Sequence, residues 1–197
     1  MSVAPEFENA LRLNEHLTNA LGGIPLGSGV RNRTVAGLLY VSMQHFDSVL
    51  ILISNQRYGS AAALVRPQYE TMIRGSWFFH CATDTQIEFF LGGGNAPRIR
   101  EMIGALEKLP GYNAGQLSRV HDRVWNIMNS YTHGGSEQAH YHNTETDIGV
   151  NFQPETLREI VKSCSAIALS SANLVAIIAG NLEMAKQFID KFNQEFR

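Results

Sequence analysis

Apolar residues recur at helical spacing over almost the whole of this chain, and nowhere does an apolar–polar alternation bounded by turn residues run long enough to make a strand. A stripe with a period near 3.6 residues can be buried only against other elements of the same kind, so the sequence predicts an all-α helical bundle. Glycine, proline and capping residues mark the breaks. A first helix is predicted from Pro5 to Leu21, followed by a loop over Gly22–Gly29, and a second from Arg33 to Asn55. Gly59-Ser60 opens a third, running to Ala82, and Thr83-Asp84-Thr85 caps a short helix through Phe90. After Gly92-Gly93-Gly94-Asn95 a helix begins near Pro97, and Pro110-Gly111 leads to another from Ala114 to His133, stopped by Gly134-Gly135. Ser136–Gln153 is the longest irregular segment. From Pro154 the pattern is one long helix, or two broken near Gly180-Asn181. With 197 residues and no internal repeat or linker, residues 1–197 are expected to form a single domain.

Charge narrows the functional classes. Sixteen Lys+Arg against 18 Asp+Glu give a net charge of -2, so no global basic field attracts nucleic acid and any polyanion site has to be local. Cys81 and Cys164 lack metal-type or redox-type spacing and suit a reducing compartment. The segment Met1–Asn14 has no basic region followed by an apolar run, which places the expected location in the cytoplasm. Val35–Ser54 and Ser163–Leu182 approach the length of a membrane span. Gln44, His45 and Asp47 interrupt the first and several Ser and Asn the second, so both are expected to be bundle helices, with no membrane partner.

Two helical stripes carry chemistry. Arg66, Glu70, Arg74, Trp77 and Cys81 fall within an arc of about 80° on the third helix. Such an Arg–Glu–Arg series can be a solvated ladder, a buried ion network, or an anion site in which Glu70 holds two guanidiniums whose remaining donors face phosphate. Trp77 in the same arc argues that the stripe lies at the edge of the core. On the helix ending at His133, the residues Asp122, Asn126, Asn129 and His133 share one face, with Val124, Ile127, Met128 and Tyr131 on the apolar side. That face is either ordinary wet surface or a site where His133 exchanges protons and Asn129 orients it.

The run Leu64-Val65-Arg66-Pro67-Gln68-Tyr69-Glu70-Thr71-Met72-Ile73-Arg74-Gly75-Ser76-Trp77, with the later Ser130-Tyr131-Thr132-His133-Gly134-Gly135, resembles a group of bacterial helical proteins distantly similar to the HEPN superfamily. The resemblance implies a HEPN-like bundle, commonly dimeric. It also implies RNase activity in toxin–antitoxin or phage-defence systems, or a non-catalytic relative of such enzymes. Catalytic members carry an Arg a little over one turn before a His, often with Asn directly after the Arg. Asn129 and His133 match the Asn and His, but Met128 stands in place of the Arg and Arg123 lies too far upstream. The positive charge would have to come from another helix, through Arg66 or Arg74.

No metal or cofactor is expected. His133, Glu137, His140 and His142 lack a recognised ligand spacing, and no phosphate-binding loop, dinucleotide fingerprint or nucleophile elbow is present. The expected function is binding of RNA or another phosphate-bearing ligand by a homodimer. Arg66, Glu70 and Arg74 would bind it, and His133 and Asn129 would support metal-independent endoribonuclease chemistry. The alternative is a non-catalytic regulatory module that meets a cognate protein partner.

Overall fold

The computed structural model describes residues 4–196. Met1–Val3 and Arg197, which the expected single domain includes, lie outside the described residues. Among those described there are nine helices and no strand: α1 (Ala4–Leu21), α2 (Val30–Ser54), α3 (Tyr58–His80), α4 (Asp84–Leu91), α5 (Ile99–Leu106), α6 (Gln116–Thr132), α7 (Ser136–His140), α8 (Pro154–Ile178) and α9 (Leu182–Phe196).

Helix α3 is central. It packs antiparallel to α2, with Gly75 bringing the backbone so close that an added Cβ would lie 2.9 Å from Leu39 Cδ2. Helix α8 covers the α2–α3 pair, and α1 and α9 cover α8, while α5 and α6 lie against α3. Phe46, Phe78 and Phe188 are wholly buried in a core that continues through Leu13, Leu39 and Ile73. By length and composition α2 and α8 could cross a membrane, but 44% and 56% of their most apolar windows are buried within the bundle. That burial is also what a core helix of a folded domain requires.

Local sequence explains several boundaries. Thr83 and Gln86 form a reciprocal capping box at α4, and Pro154 occupies the first turn of α8, where its missing amide costs nothing. Gly180 takes a φ of 72°, which separates α8 from α9, so the C-terminal pattern is two helices. The segment Ser136–Gln153 is less irregular than its polarity suggests, because it contains α7 and an isolated antiparallel bridge between Asn143 and Ile148.

The segment is also anchored by aromatic and polar contacts. Tyr141 stacks on Phe152 at 4.6 Å, and Gln138 Nε2 donates to the Gly59 carbonyl at 2.9 Å. A Cβ at Gly59 would lie 2.4 Å from His142 Cε1 and 2.8 Å from Gln138 Oε1. Gly59→Val should therefore push this segment off α3, at a cost of about 1–3 kcal/mol. Limited proteolysis should then cut between Ser136 and Gln153 well before wild type is touched; equal cutting rates would show that the close approach is unimportant.

Two polar arrangements fix α3. On its buried side Gln68 Nε2 donates to the Cys164 carbonyl of α8 at 2.9 Å, while Ser42 of α2 donates to the Gln68 carbonyl at 3.0 Å. Ser171 Oγ lies 3.0 Å from Ser42 Oγ, joining all three helices in one buried chain. On the other side Pro67 has no amide hydrogen to give the Ala63 carbonyl. Thr132 Oγ1 reaches that carbonyl at 3.3 Å from the last turn of α6. The proline thus opens an acceptor on α3 that the residue preceding His133 uses.

Candidate anion-binding site

Helices α3, α5 and α6 enclose a cleft of about 460 Å³. Its floor is the α3 stripe Arg66, Glu70 and Arg74, one wall is His121, Asp122, Trp125 and Asn126 of α6, and the other is Pro97–Arg100 at the start of α5. Four guanidiniums face two carboxylates here, so the lining carries a local positive excess in a chain whose net charge is -2.

The stripe is neither solvated nor sealed. The side chains of Arg66, Glu70 and Arg74 are each between a fifth and a quarter exposed. Arg66 Nε donates to Glu70 Oε1 at 2.7 Å, and Arg66 Nη1 lies 2.5 Å from His133 Nε2. Its guanidinium also rests on the Trp125 ring, 4.8 Å from the centroid. A guanidinium only donates, so in this contact His133 Nε2 is the accepting nitrogen. Among the described residues Arg66 makes its side-chain hydrogen bonds through Nε and Nη1, which leaves the Nη2 hydrogens for a ligand. Arg74 Nη2 sits 3.7 Å from Glu70 Oε2, too long for a hydrogen bond, and Arg74 Nε is buried with no partner. A buried guanidinium donor left unpaired is costly unless something else fills it.

Helix α6 meets α3 through His121, Trp125, Met128 and Thr132. This set repeats the four, three, four spacing of the polar strip one residue earlier in the chain. The strip Asp122, Asn126, Asn129 and His133 therefore runs along the edge of the contact face. Asp122 pairs with Arg100 across the α5–α6 boundary, and Asn126 is exposed in the cleft wall. His133 is exposed and closes α6 as its C-cap.

The expectation that Asn129 orients His133 does not match the geometry. Only the Asn129 carbonyl meets His133, accepting its backbone amide at 3.0 Å, and the Asn129 Oδ1 is buried without a partner. Arg66 holds the imidazole instead. Trp77 lies in the core rather than in the stripe's open part, and Ile127, expected on the apolar side of α6, is exposed while Met128 and Tyr131 are buried. An arginine in place of Met128 would carry its charge into that core.

His121, Trp125, Arg98 and Arg100 are site residues that the sequence patterns do not single out. The signal for the first two is their own four-residue spacing; for the arginines it is their place just after Pro97, at the N-cap and in the first turn of α5. His121 lies in an aromatic stack, with its ring centroid 4.5 Å from that of Trp125 and 6.1 Å from that of Tyr69. Burial, and then the charge of Arg100, push its pKa down, so the ring is held neutral. Burial likewise raises the Tyr69 hydroxyl, whose oxygen has no partner.

Among the described residues no group of three His, Cys, Asp or Glu side chains is placed to hold a metal ion. His142 Nδ1 instead meets the Gln138 carbonyl at 2.7 Å and packs against Phe152. The cleft can thus supply guanidinium donors and flat ring surfaces, a set suited to an anion attached to a larger ligand, while His133 touches Arg66 but is not part of the lining.

No curated protein and no solved structure matches the chain. A family model does match, over residues 39–197, a span that contains α3, α5, α6 and every residue of the cleft, and the chain accordingly belongs to the family of unknown function DUF6988.

Proposed function

We propose that the protein binds RNA through its phosphates in the α3–α5–α6 cleft, as a HEPN-like homodimer in the cytoplasm with metal-independent endoribonuclease activity. Contact between Arg66 and His133 carries this reading. The HEPN-like motif on α6 lacks its arginine, and a guanidinium from α3 occupies the position beside the histidine. In the proposed reaction the Nη2 hydrogens of Arg66 and the unpaired Nε of Arg74 take the phosphate oxygens, where charge builds in the transition state. His133, released from Arg66 Nη1, then accepts the proton of the ribose 2′-hydroxyl as that oxygen bonds to phosphorus, and returns the proton to the 5′-oxygen as its bond to phosphorus breaks. Glu70 keeps Arg66 in place and lowers the repulsion between the two arginines. Such an activity suits a toxin–antitoxin or phage-defence role.

One observation favours a second reading, a non-catalytic module that engages a cognate protein: Asn129 makes no side-chain bond to His133, and the Arg66–His133 contact also ties α3 to α6. Overexpression separates the two. Wild type should slow growth and degrade cellular RNA, and His133→Ala should abolish both effects while the purified variant still binds RNA. Identical growth and intact RNA with wild type and variant would leave only the binding module.

A further inference from the structure

We propose that the cleft receives one unpaired nucleobase, stacked on the Arg66 guanidinium and read along its edge by Asn126 and His121, so that the ligand is single-stranded RNA or a free nucleotide. This rests on the reading of the cleft as a phosphate site and specifies what accompanies the phosphate.

Size is the first argument. A cavity of about 460 Å³ lies within the range of roughly 300–1,000 Å³ that holds organic ligands, far more than a bare oxyanion fills. The second argument is what lies between the arginines. Trp125, His121, Pro97 and Ile99 offer flat or apolar surface that does nothing for phosphate and suits a planar ring. Arg66 adds a third. Glu70 holds one edge of its guanidinium, His133 another, and Trp125 one face, so the plane is fixed in advance. Fixed guanidinium planes and aromatic rings are the surfaces on which proteins stack unpaired bases.

Edge recognition comes from α6. His121 is 5% exposed, lines the cleft, and has a buried Nδ1 with no hydrogen-bond partner. Tyr69 and Trp125 hold its ring, and as a neutral imidazole it offers a base edge a single donating or accepting nitrogen. Asn126 stands five residues further along the same wall, with an exposed amide that combines donor and acceptor. Adenine offers the complementary pair on one edge, a ring nitrogen beside an amino group. In an A-form duplex that edge lies in a groove too narrow for side chains to read, which is why the proposal is confined to unpaired bases.

Isothermal titration of the full chain with adenosine 5′-monophosphate and with ribose 5-phosphate tests the inference. Wild type should bind the nucleotide at least about tenfold more tightly, the discrimination that one good edge contact supplies. Asn126→Ala and His121→Phe should each bring the two affinities to within about twofold by weakening the nucleotide. Asn126 is exposed, so its variant keeps the test decisive if His121→Phe does not fold. A wild-type ratio near one, or an Asn126→Ala loss equal for both ligands, would overturn the base subsite while leaving the phosphate site standing. If neither ligand nor oligoadenylate binds, the phosphate reading falls and this inference with it. Single-stranded oligoadenylate should bind at least about tenfold better than its duplex with oligouridylate, and equal binding would also overturn the proposal.

Discussion

Arg66→Ala should weaken RNA binding by about 10- to 100-fold, the effect of removing one charge-assisted hydrogen bond worth roughly 1.5–3 kcal/mol. Fluorescence anisotropy with a labelled single strand, repeated over a range of salt, measures it. The salt slope should also fall by about 0.7 for the lost phosphate contact. Arg66→Lys should recover only part of the loss. It restores a charge but cannot hold Glu70 and His133 at once along a planar fork, nor lie flat on Trp125. Unchanged affinity in Arg66→Ala would make the Arg66–Glu70–Arg74 series a structural ion network and would remove the basis of the phosphate reading.

The largest effect on stability is expected from Phe78→Ala. Phe78 is wholly buried at the end of α3 that is distant from His133, with its ring centroid 5.2 Å from Trp77 and 4.8 Å from Phe90. Truncation leaves a cavity between α3 and α4 and should cost about 3–5 kcal/mol, which lowers Tm by roughly 10 °C in a domain of this size. The Phe78 carbonyl accepts from Arg31 Nη1 at 2.6 Å, and Arg31 also pairs with Asp84, so the same point joins α2, α3 and α4. Urea unfolding followed by circular dichroism gives the loss directly, and a change below about 1 kcal/mol would mean that the aromatic cluster collapses to refill the space.

The helical architecture is legible because nearly every element announces itself locally, through its apolar period and through residues such as Thr83, Pro154 and Gly180. The Arg66–Glu70–Arg74 stripe is legible for the same reason, since spacing along one helix fixes which side chains share a face. What spacing on α6 cannot give is its rotation against α3. The polar strip ending at His133 looks like the functional face, yet the contact face is displaced by one residue to His121, Trp125, Met128 and Thr132. That displacement brings Trp125 under Arg66 and leaves Asn129 Oδ1 buried without a partner. Arg98 and Arg100 reach the cleft only because α5 folds back on α3, a long-range event that no local pattern records. Pro67 lies inside α3 and leaves the Ala63 carbonyl without its helical partner. Its effect depends on a hydroxyl on α6, Thr132, that takes up the carbonyl it leaves open.

Gln68 has a consequence for how the cleft can change over evolutionary time. Its side chain and carbonyl are bonded to α8 and α2 on the face of α3 opposite the arginines. Turning the helix by even one residue would strand these groups in the core, so α3 works like a keyed shaft whose angular setting is cut on the back. Ligand preference can then drift through Asn126, Arg98 or Arg100 on the neighbouring walls without disturbing the stripe, whereas a change at Ser42, Gln68 or Ser171, none of which touches a ligand, would reset the aim of every arginine on the helix at once.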